Sequence, residues 1–320
     1  CCADSYIIFE RRVESRAQFT TIDEDDYVLI KTISLYITHY FSIGIFMKSL
    51  VTGGTGFVGP RLLRLLNKPT VLTRNPERAA EKIGHLAGEI IGWDPLEGPP
   101  PPESLDGADL VFHLAGESVA EGRWTPAQKA KIRDSRVQGT KNLVSGILQN
   151  KNGPKTLISS SAVGYYGDRG EEELTESSLP GADFLADVCV GWEREADVAL
   201  EHGIRVVTMR TGIVLGAGGG ALAKMLTPFR LGAGGPLGNG QQWMPWVHVA
   251  DLARLYVHAA EQSTLSGPVN AVSPNPVRNR EFTKALATQL KRPAFMPAPY
   301  IGLRLAFGEF AKVLFASQKV

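Results

Sequence analysis

The strongest chemical signal in the chain is the octapeptide Thr52-Gly-Gly-Thr-Gly-Phe-Val-Gly59. A β-rich run, Lys48–Val51, stands directly before it, and a helical run, Arg61–Leu66, follows. Each glycine has a separate mechanical use: Gly53 permits a tight turn, Gly56 lets backbone approach a pyrophosphate, and Gly59 lets helix and strand pack closely. Gly54, Thr55, Phe57 and Val58 complete the loop, and the unpaired N–H groups at the helix start face the phosphates. The implied ligand is a dinucleotide. After the second strand a site for NAD(H) normally carries an acid for the ribose hydroxyls. Here the chain reads Thr73-Arg74-Asn-Pro, with Arg78 one helical turn further. A guanidinium suits a 2′-phosphate in charge and in its forked donors, so NADP(H) is expected ahead of NAD(H). Gly59 and Arg74 are 15 positions apart, against about 20 in the general fingerprint, which predicts a crossover helix trimmed by one turn.

Other reactive residue types make weaker groupings. His248 and Asp251 have the type and spacing of a metal pair but lack an evident third ligand, so no metal is expected. Trp243 and Trp246 flank Pro245 as pocket wall or core, and Cys189 lies on an apolar helix face, the usual place of a small buried hydrophobe. Lys and Arg total 34 against 33 Asp and Glu. This balance gives no electrostatic case for a nucleic-acid or membrane partner. With only three cysteines, a disulfide framework is not expected and a cytoplasmic setting fits.

These residues need elements to position them. From Met47, short β-rich runs alternate with longer helical ones, the pattern of a parallel sheet with crossover helices. Strands are expected at Lys48–Val51, Thr70–Thr73, Leu110–Leu114, Thr156–Ser159 and Arg205–Met209, with helices at Arg61–Leu66, Pro126–Leu148 and Asp183–Glu201. Thr125 is the N-cap expected for the Pro126 helix. The fold class is therefore α/β, a Rossmann-type doubly wound parallel sheet over 47–215. Beyond it, residues 216–320 read as a smaller C-terminal lobe that closes over the strand ends and partly packs back on the sheet. Two glycine-rich stretches bracket its first helix, Ala221–Phe229, with Asp251–Ala260 and Phe282–Leu290 following. Pro99–Pro102 reads as a stiff surface turn. Residues 1–46 differ in pattern: an acidic patch at Asp23–Asp26, then an apolar run, Ile33–Phe46, too short for a span of about 20 residues. They read as an extension ahead of a natural start at Met47.

Taken together, the motifs resemble the extended short-chain dehydrogenase/reductase superfamily. They are Thr52–Gly59, His113-Leu-Ala-Gly-Glu117, Gly139-Thr140, Ser159-Ser-Ser161 and Trp246-Val-His-Val-Ala-Asp251. Ser161-Ala-Val-Gly-Tyr-Tyr-Gly167, Arg210-Thr-Gly-Ile-Val-Leu-Gly216, Gly234-Gly-Pro-Leu-Gly-Asn-Gly240 and Arg292-Pro-Ala-Phe295 are similar to its atypical group of epimerase family proteins. The resemblance covers Met47 to Val320 and implies that the chain continues past Val320. It implies that Leu114, Ala115 and Gly116 pass beside the cofactor through their backbone, that Ser161 is the catalytic serine, and that Asp94 lies near the adenine. It also implies pairing of two copies through the two long helices.

The departures from the superfamily pattern matter as much. Its catalytic pair is a Tyr with a Lys four residues later, where the cation lowers the phenol pKa for proton exchange. Anchored on Trp192-Glu193, those positions fall on Leu185 and Cys189, and the usual Asn of the long helix is Arg136. Tyr165 and Tyr166 are the hydroxyls that would substitute, with Arg136 as cation and Glu117 as a further carboxylate. Two functions follow. One is an NADP(H)-dependent oxidoreductase or epimerase acting on a small carbonyl or alcohol by an unusual proton route. The other is a catalytically silent NADP(H)-binding regulator or scaffold.

Overall fold

The computed structural model describes residues 47–320, and the readings made on residues 1–46 lie outside the described residues. Six of its strands are β1 (Ser49–Thr52), β2 (Thr70–Thr73), β3 (Glu89–Gly92), β4 (Leu110–His113), β5 (Thr156–Ala162) and β6 (Arg205–Thr211). Their helices are α1 (Gly59–Leu63), α2 (Pro76–Ile83), α3 (Pro102–Leu105), α4 (Pro126–Gln149) and α5 (Phe184–Glu201). Successive side chains on a strand point to opposite faces, and here both faces are apolar. Leu50, Val111, Leu157 and Val206 meet Leu143, Val144 and Ile147 of α4 and Ala196 and Ala199 of α5 in one core. Their neighbours Val51, Phe112, Ile158 and Val207 enter a second core on the other side. A sheet buried on both faces requires such continuous apolar strands.

The rest of the chain adds β7 (Ile213–Leu215), α6 (Gly220–Arg230), β8 (Trp243–Met244), β9 (Trp246–His248), α7 (Val249–Glu261), β10 (Gly267–Ala271) and β11 (Val277–Arg278). Helices α8 (Asn279–Leu290), α9 (Tyr300–Phe307) and α10 (Ala311–Phe315) complete it. Helix α7 joins α1 and α2 in covering the second core through Leu252, Ala253 and Tyr256. Strand β10 pairs with β6, giving the seven-stranded order β10-β6-β5-β4-β1-β2-β3, parallel throughout. This is a Rossmann-type doubly wound sheet, in which the direction of winding reverses between β1 and β4.

Helix starts follow local chemistry. The Thr125 hydroxyl accepts from the Gln128 amide at 3.2 Å ahead of α4, and the Asp183 carboxylate accepts from the Ala186 amide at 2.9 Å ahead of α5. In the proline segment Pro99 and Pro102 are exposed, as a surface turn requires, whereas Pro100 is buried against α4, where a Cβ at Gly146 would stand 2.7 Å from its ring.

Candidate functional site

A cleft of about 420 Å³ opens where the sheet reverses, at the carboxyl ends of β1, β2, β3 and β4. Its floor is the glycine loop. Gly53 holds φ +71, and a Cβ there would stand 2.6 Å from the Leu114 carbonyl carbon. At Gly59 the same atom would stand 2.2 Å from the Gly54 carbonyl oxygen, so any side chain would drive α1 off the turn. One wall carries Arg74, Arg78 and Lys82. Asn75 caps α2 by accepting from the Arg78 amide at 3.0 Å, and Arg78 and Lys82 are i and i+4 on that helix, hence on one face. Lys82 also donates to the Thr55 carbonyl at 2.6 Å, tying this wall to the loop. Sequence reasoning reached Arg74 and Arg78 but not Lys82, which the i,i+4 spacing on α2 signals once that helix is recognised. Leu114, Ala115 and Gly116 after β4 line the other side, and Asp94 after β3 also lines the cleft. Asp94 Oδ1 there accepts from the Leu96 amide at 2.9 Å, shaping a turn. A phosphate-bearing dinucleotide fits this donor set: a backbone cradle without Cβ atoms beside three cations.

His113 fixes the turn that carries Ala115 and Gly116. Buried completely, it lies 2.7 Å from Thr52 Oγ1 and 3.0 Å from Thr140 Oγ1. Thr52 Oγ1 also accepts from the Ala115 amide at 3.2 Å. One hydroxyl thus ties the turn to the ring, and the ring reaches α4 through Thr140. Burial pushes this imidazole down to about 4, so it is neutral near pH 7. Of the pair Gly139-Thr140 in α4, Thr140 thus bonds to β4 through the ring, while a Cβ at Gly139 would stand 3.2 Å from Pro95.

The hydroxyls at the end of β5 belong to a buried network. Ser161, 3% exposed, donates to Glu193 Oε1 at 2.6 Å. Glu193 on α5 accepts from Arg210 Nε and Nη2 on β6 at 3.0 and 2.8 Å. Arg210 Nη1 in turn donates to the Tyr166 hydroxyl at 3.1 Å and to the Glu176 carbonyl at 2.9 Å. The Tyr166 hydroxyl donates to Asn270 Oδ1 on β10 at 2.6 Å. Burial pushes this phenol up, with Arg210 working against it. Tyr165 is half-buried, with the Arg210 guanidinium 3.5 Å from its ring centroid, and its hydroxyl has no partner among the described residues. The structure thus brings Ser161, Tyr165 and Tyr166 together around Arg210.

At the superfamily's Tyr and Lys positions the side chains are apolar or uncharged. The Leu185 Cβ packs toward Gly164, 3.4 Å from where a Cβ on that glycine would lie. Cys189 is buried against Ser161 and the Ala162 backbone, and burial, aided by Glu193, pushes its thiol up to about 12. Arg136 lies between these residues and the cofactor-side turn. A Cβ at Gly116 would be 3.2 Å from its Cζ, and its guanidinium stands 5.1 Å from the Trp192 ring centroid. His248 and Asp251 have separate structural duties: His248 Nδ1 accepts from the Ala250 amide at the start of α7, and Asp251 pairs with Arg254 at 3.0 Å. Trp243 donates to Glu171 at 2.9 Å under the guanidinium of Arg278, away from any pocket wall described above.

A doubly wound sheet with a glycine loop at its reversal point defines a protein of the Rossmann class. Within it, the family described as NAD dependent epimerase/dehydratase matches residues 49–271, and the chain belongs to that family. The chain is similar to epimerase family protein SDR39U1 of Homo sapiens, 36% identical over 86% of this chain and 91% of that protein. It is also 38% identical to the chloroplastic SDR39U1 homolog of Arabidopsis thaliana, over 84% of this chain and 78% of that one. The crystal structure of human SDR39U1 (isoform 2) with NADPH superposes with TM-score 0.74 and 35% identity, covering 86% of this chain and 90% of the human one.

Proposed function

We propose that this chain binds NADP(H) and acts as an oxidoreductase or epimerase on a small carbonyl or alcohol compound, without the Tyr–Lys relay. One observation carries the reading: the cationic wall of Arg74, Arg78 and Lys82 stands beside the Cβ-free glycine cradle in a single cleft. The related human protein crystallised with NADPH supports the same cofactor. When bound, a nicotinamide cofactor supplies hydride transfer. In this reading Gly53, Gly54, Thr55, Gly56, Phe57, Val58 and Gly59 hold the pyrophosphate, Arg74 neutralises the 2′-phosphate, and the backbone of Leu114, Ala115 and Gly116 seats the ribose. Ser161 and Tyr166 keep the end of β5 in register, because their protons are committed to Glu193 and Asn270. Tyr165 is the one of the three hydroxyls free to exchange a proton. The reading also keeps a cytoplasmic setting and a pair of copies meeting through the outer faces of α4 and α5, where Val190 and Leu200 are exposed.

The second reading, a silent NADP(H)-binding regulator, is favoured by Leu185 and by the inert, buried thiol of Cys189. Stereospecifically deuterated NADPH, offered with a panel of carbonyl compounds and nucleotide-sugars, separates the two. Label in a product supports turnover, and its loss in Tyr165→Phe assigns the proton. Tight NADPH binding with no label in any product supports the silent reading.

A further inference from the structure

Among the described residues, Arg136 is a cation without a paired carboxylate. Its Nη1 donates to the Ile132 carbonyl of its own helix at 3.0 Å, which uses one of five N–H donors. No carboxylate among the described residues forms an ion pair with it. The environment is nonetheless poor in water. The side chain is half-buried, with the indole of Trp192 against one side of the guanidinium and the Gly116 backbone near its edge. Burial pulls its proton affinity down, while Cys189 and Glu117 act in the opposite sense, Glu117 from beyond ion-pair distance. A cation removed from water and left unpaired is costly, and an anion arriving from outside would relieve that cost.

The position of the guanidinium says which anion. Gly116, which faces it, lines the cofactor cleft, whereas the three cations for phosphates stand on the wall formed by β2 and α2. Cys189, near enough to act on its charge, touches Ser161 at the end of β5. Arg136 thus stands near both the cleft turn and the strand end that carries the candidate hydroxyls. A planar fork beside an indole matches a carboxylate better than a single point charge does.

We infer that Arg136 is the substrate-recognition residue of this site and that it binds a carboxylate carried by the carbonyl or alcohol substrate. The inference rests on the reading that the cleft holds NADP(H), and it narrows the substrate to an oxo or hydroxy acid. The test uses the chain with NADPH at saturation and follows cofactor fluorescence. Oxamate and 2-oxoglutarate are the anionic probes, with acetone and 2-butanone as uncharged ones.

The anionic probes should bind the wild-type complex, at least tenfold more weakly with Arg136→Gln, and to an intermediate degree with Arg136→Lys, which keeps the charge but loses the fork. Both variants should hold NADPH itself within twofold of wild type. Should Arg136→Gln fail to fold, Arg136→Lys decides: a loss of three- to tenfold for the acids is expected. Equal binding of anionic and uncharged probes, or acids binding equally to wild type and variant, overturns the inference. So does a tenfold loss of NADPH alone, which would assign the guanidinium to the cofactor's phosphates. Failure of the wild type to bind NADPH at all would instead remove the reading beneath it.

Discussion

Glu193 and Arg210 form a buried ion pair, 9% and 3% exposed, that joins α5 to β6, accepts the Ser161 proton on Glu193 and donates to the Tyr166 hydroxyl from Arg210. Removing one charge from such a pair leaves the other buried and uncompensated, at about 3–5 kcal/mol. Glu193→Gln is therefore expected to lower unfolding free energy by that amount in urea titrations. Tyr166→Phe, which removes one hydroxyl, should lower it by about 1–2 kcal/mol. Equal, small losses for both would deny the pair its place at the centre. The hydroxyl cluster was legible in the sequence, because Ser161, Tyr165 and Tyr166 fall within six residues. Their partners were not: Glu193, Arg210 and Asn270 stand on three other elements, and spacing along the chain carries no sign of a contact made only by folding. The absence of a Tyr–Lys pair was legible because Leu185 and Cys189 are read directly against Trp192. That Cys189 is inert depended on its burial, which the sequence only suggested.

His113 is where β1, β4 and α4 are fastened together, and its chemistry gives the assembly a pH dependence. The imidazole is neutral in the fold, with its pKa lowered from 6.5 to about 4. Between those values the unfolded chain takes up a proton that the folded one refuses. Stability is thus full above pH 6.5 and falls as pH drops towards 4, by on the order of 3 kcal/mol. Urea unfolding at pH 7 and pH 4.5 should show this loss in wild type, and a smaller one in His113→Gln; identical slopes would refute it. At this scale the sequence showed five of the seven central strands, because they are apolar on both faces. It missed β3, Glu-Ile-Ile-Gly, which lies at one edge with its ends exposed. It missed β10 at the other edge, where Pro268 is tolerated because only one neighbour needs hydrogen bonds. Helix α2 escaped because its exposed face is almost wholly polar and only Ala79 and Ile83 are buried.

Across the whole molecule, the glycine loop is braced by a stretch more than 150 residues further along the chain. The Phe57 ring fills the space beneath the Gly216–Gly220 stretch, where a Cβ at Gly219 or Gly220 would meet it at 2.7 Å. Arg61 stacks on that ring at 4.5 Å and donates to the Ala217 carbonyl at 2.7 Å. On the other side of the sheet reversal, Gln318 Nε2 donates to the carbonyls of Val163 and Gly167 at 2.8 and 2.9 Å, holding the Tyr165–Tyr166 turn. Sequence reading found the two glycine-rich stretches and set the first helix of the lobe between them, but nothing in a glycine run says that an aromatic ring lies below it. The Phe57 and Arg61 braces hold the loop that floors the cleft, and what that cleft binds decides the function. NADPH and NADH titrated side by side into wild type and Arg74→Ala test this most directly. Loss of a charge-assisted contact costs about 1.5–3 kcal/mol, or roughly 10–150-fold. Wild type should bind NADPH at least tenfold more tightly than NADH, and Arg74→Ala should lose most of that preference while holding NADH within threefold. Equal affinity of wild type for the two cofactors, or equal losses of both in the variant, would contradict the account.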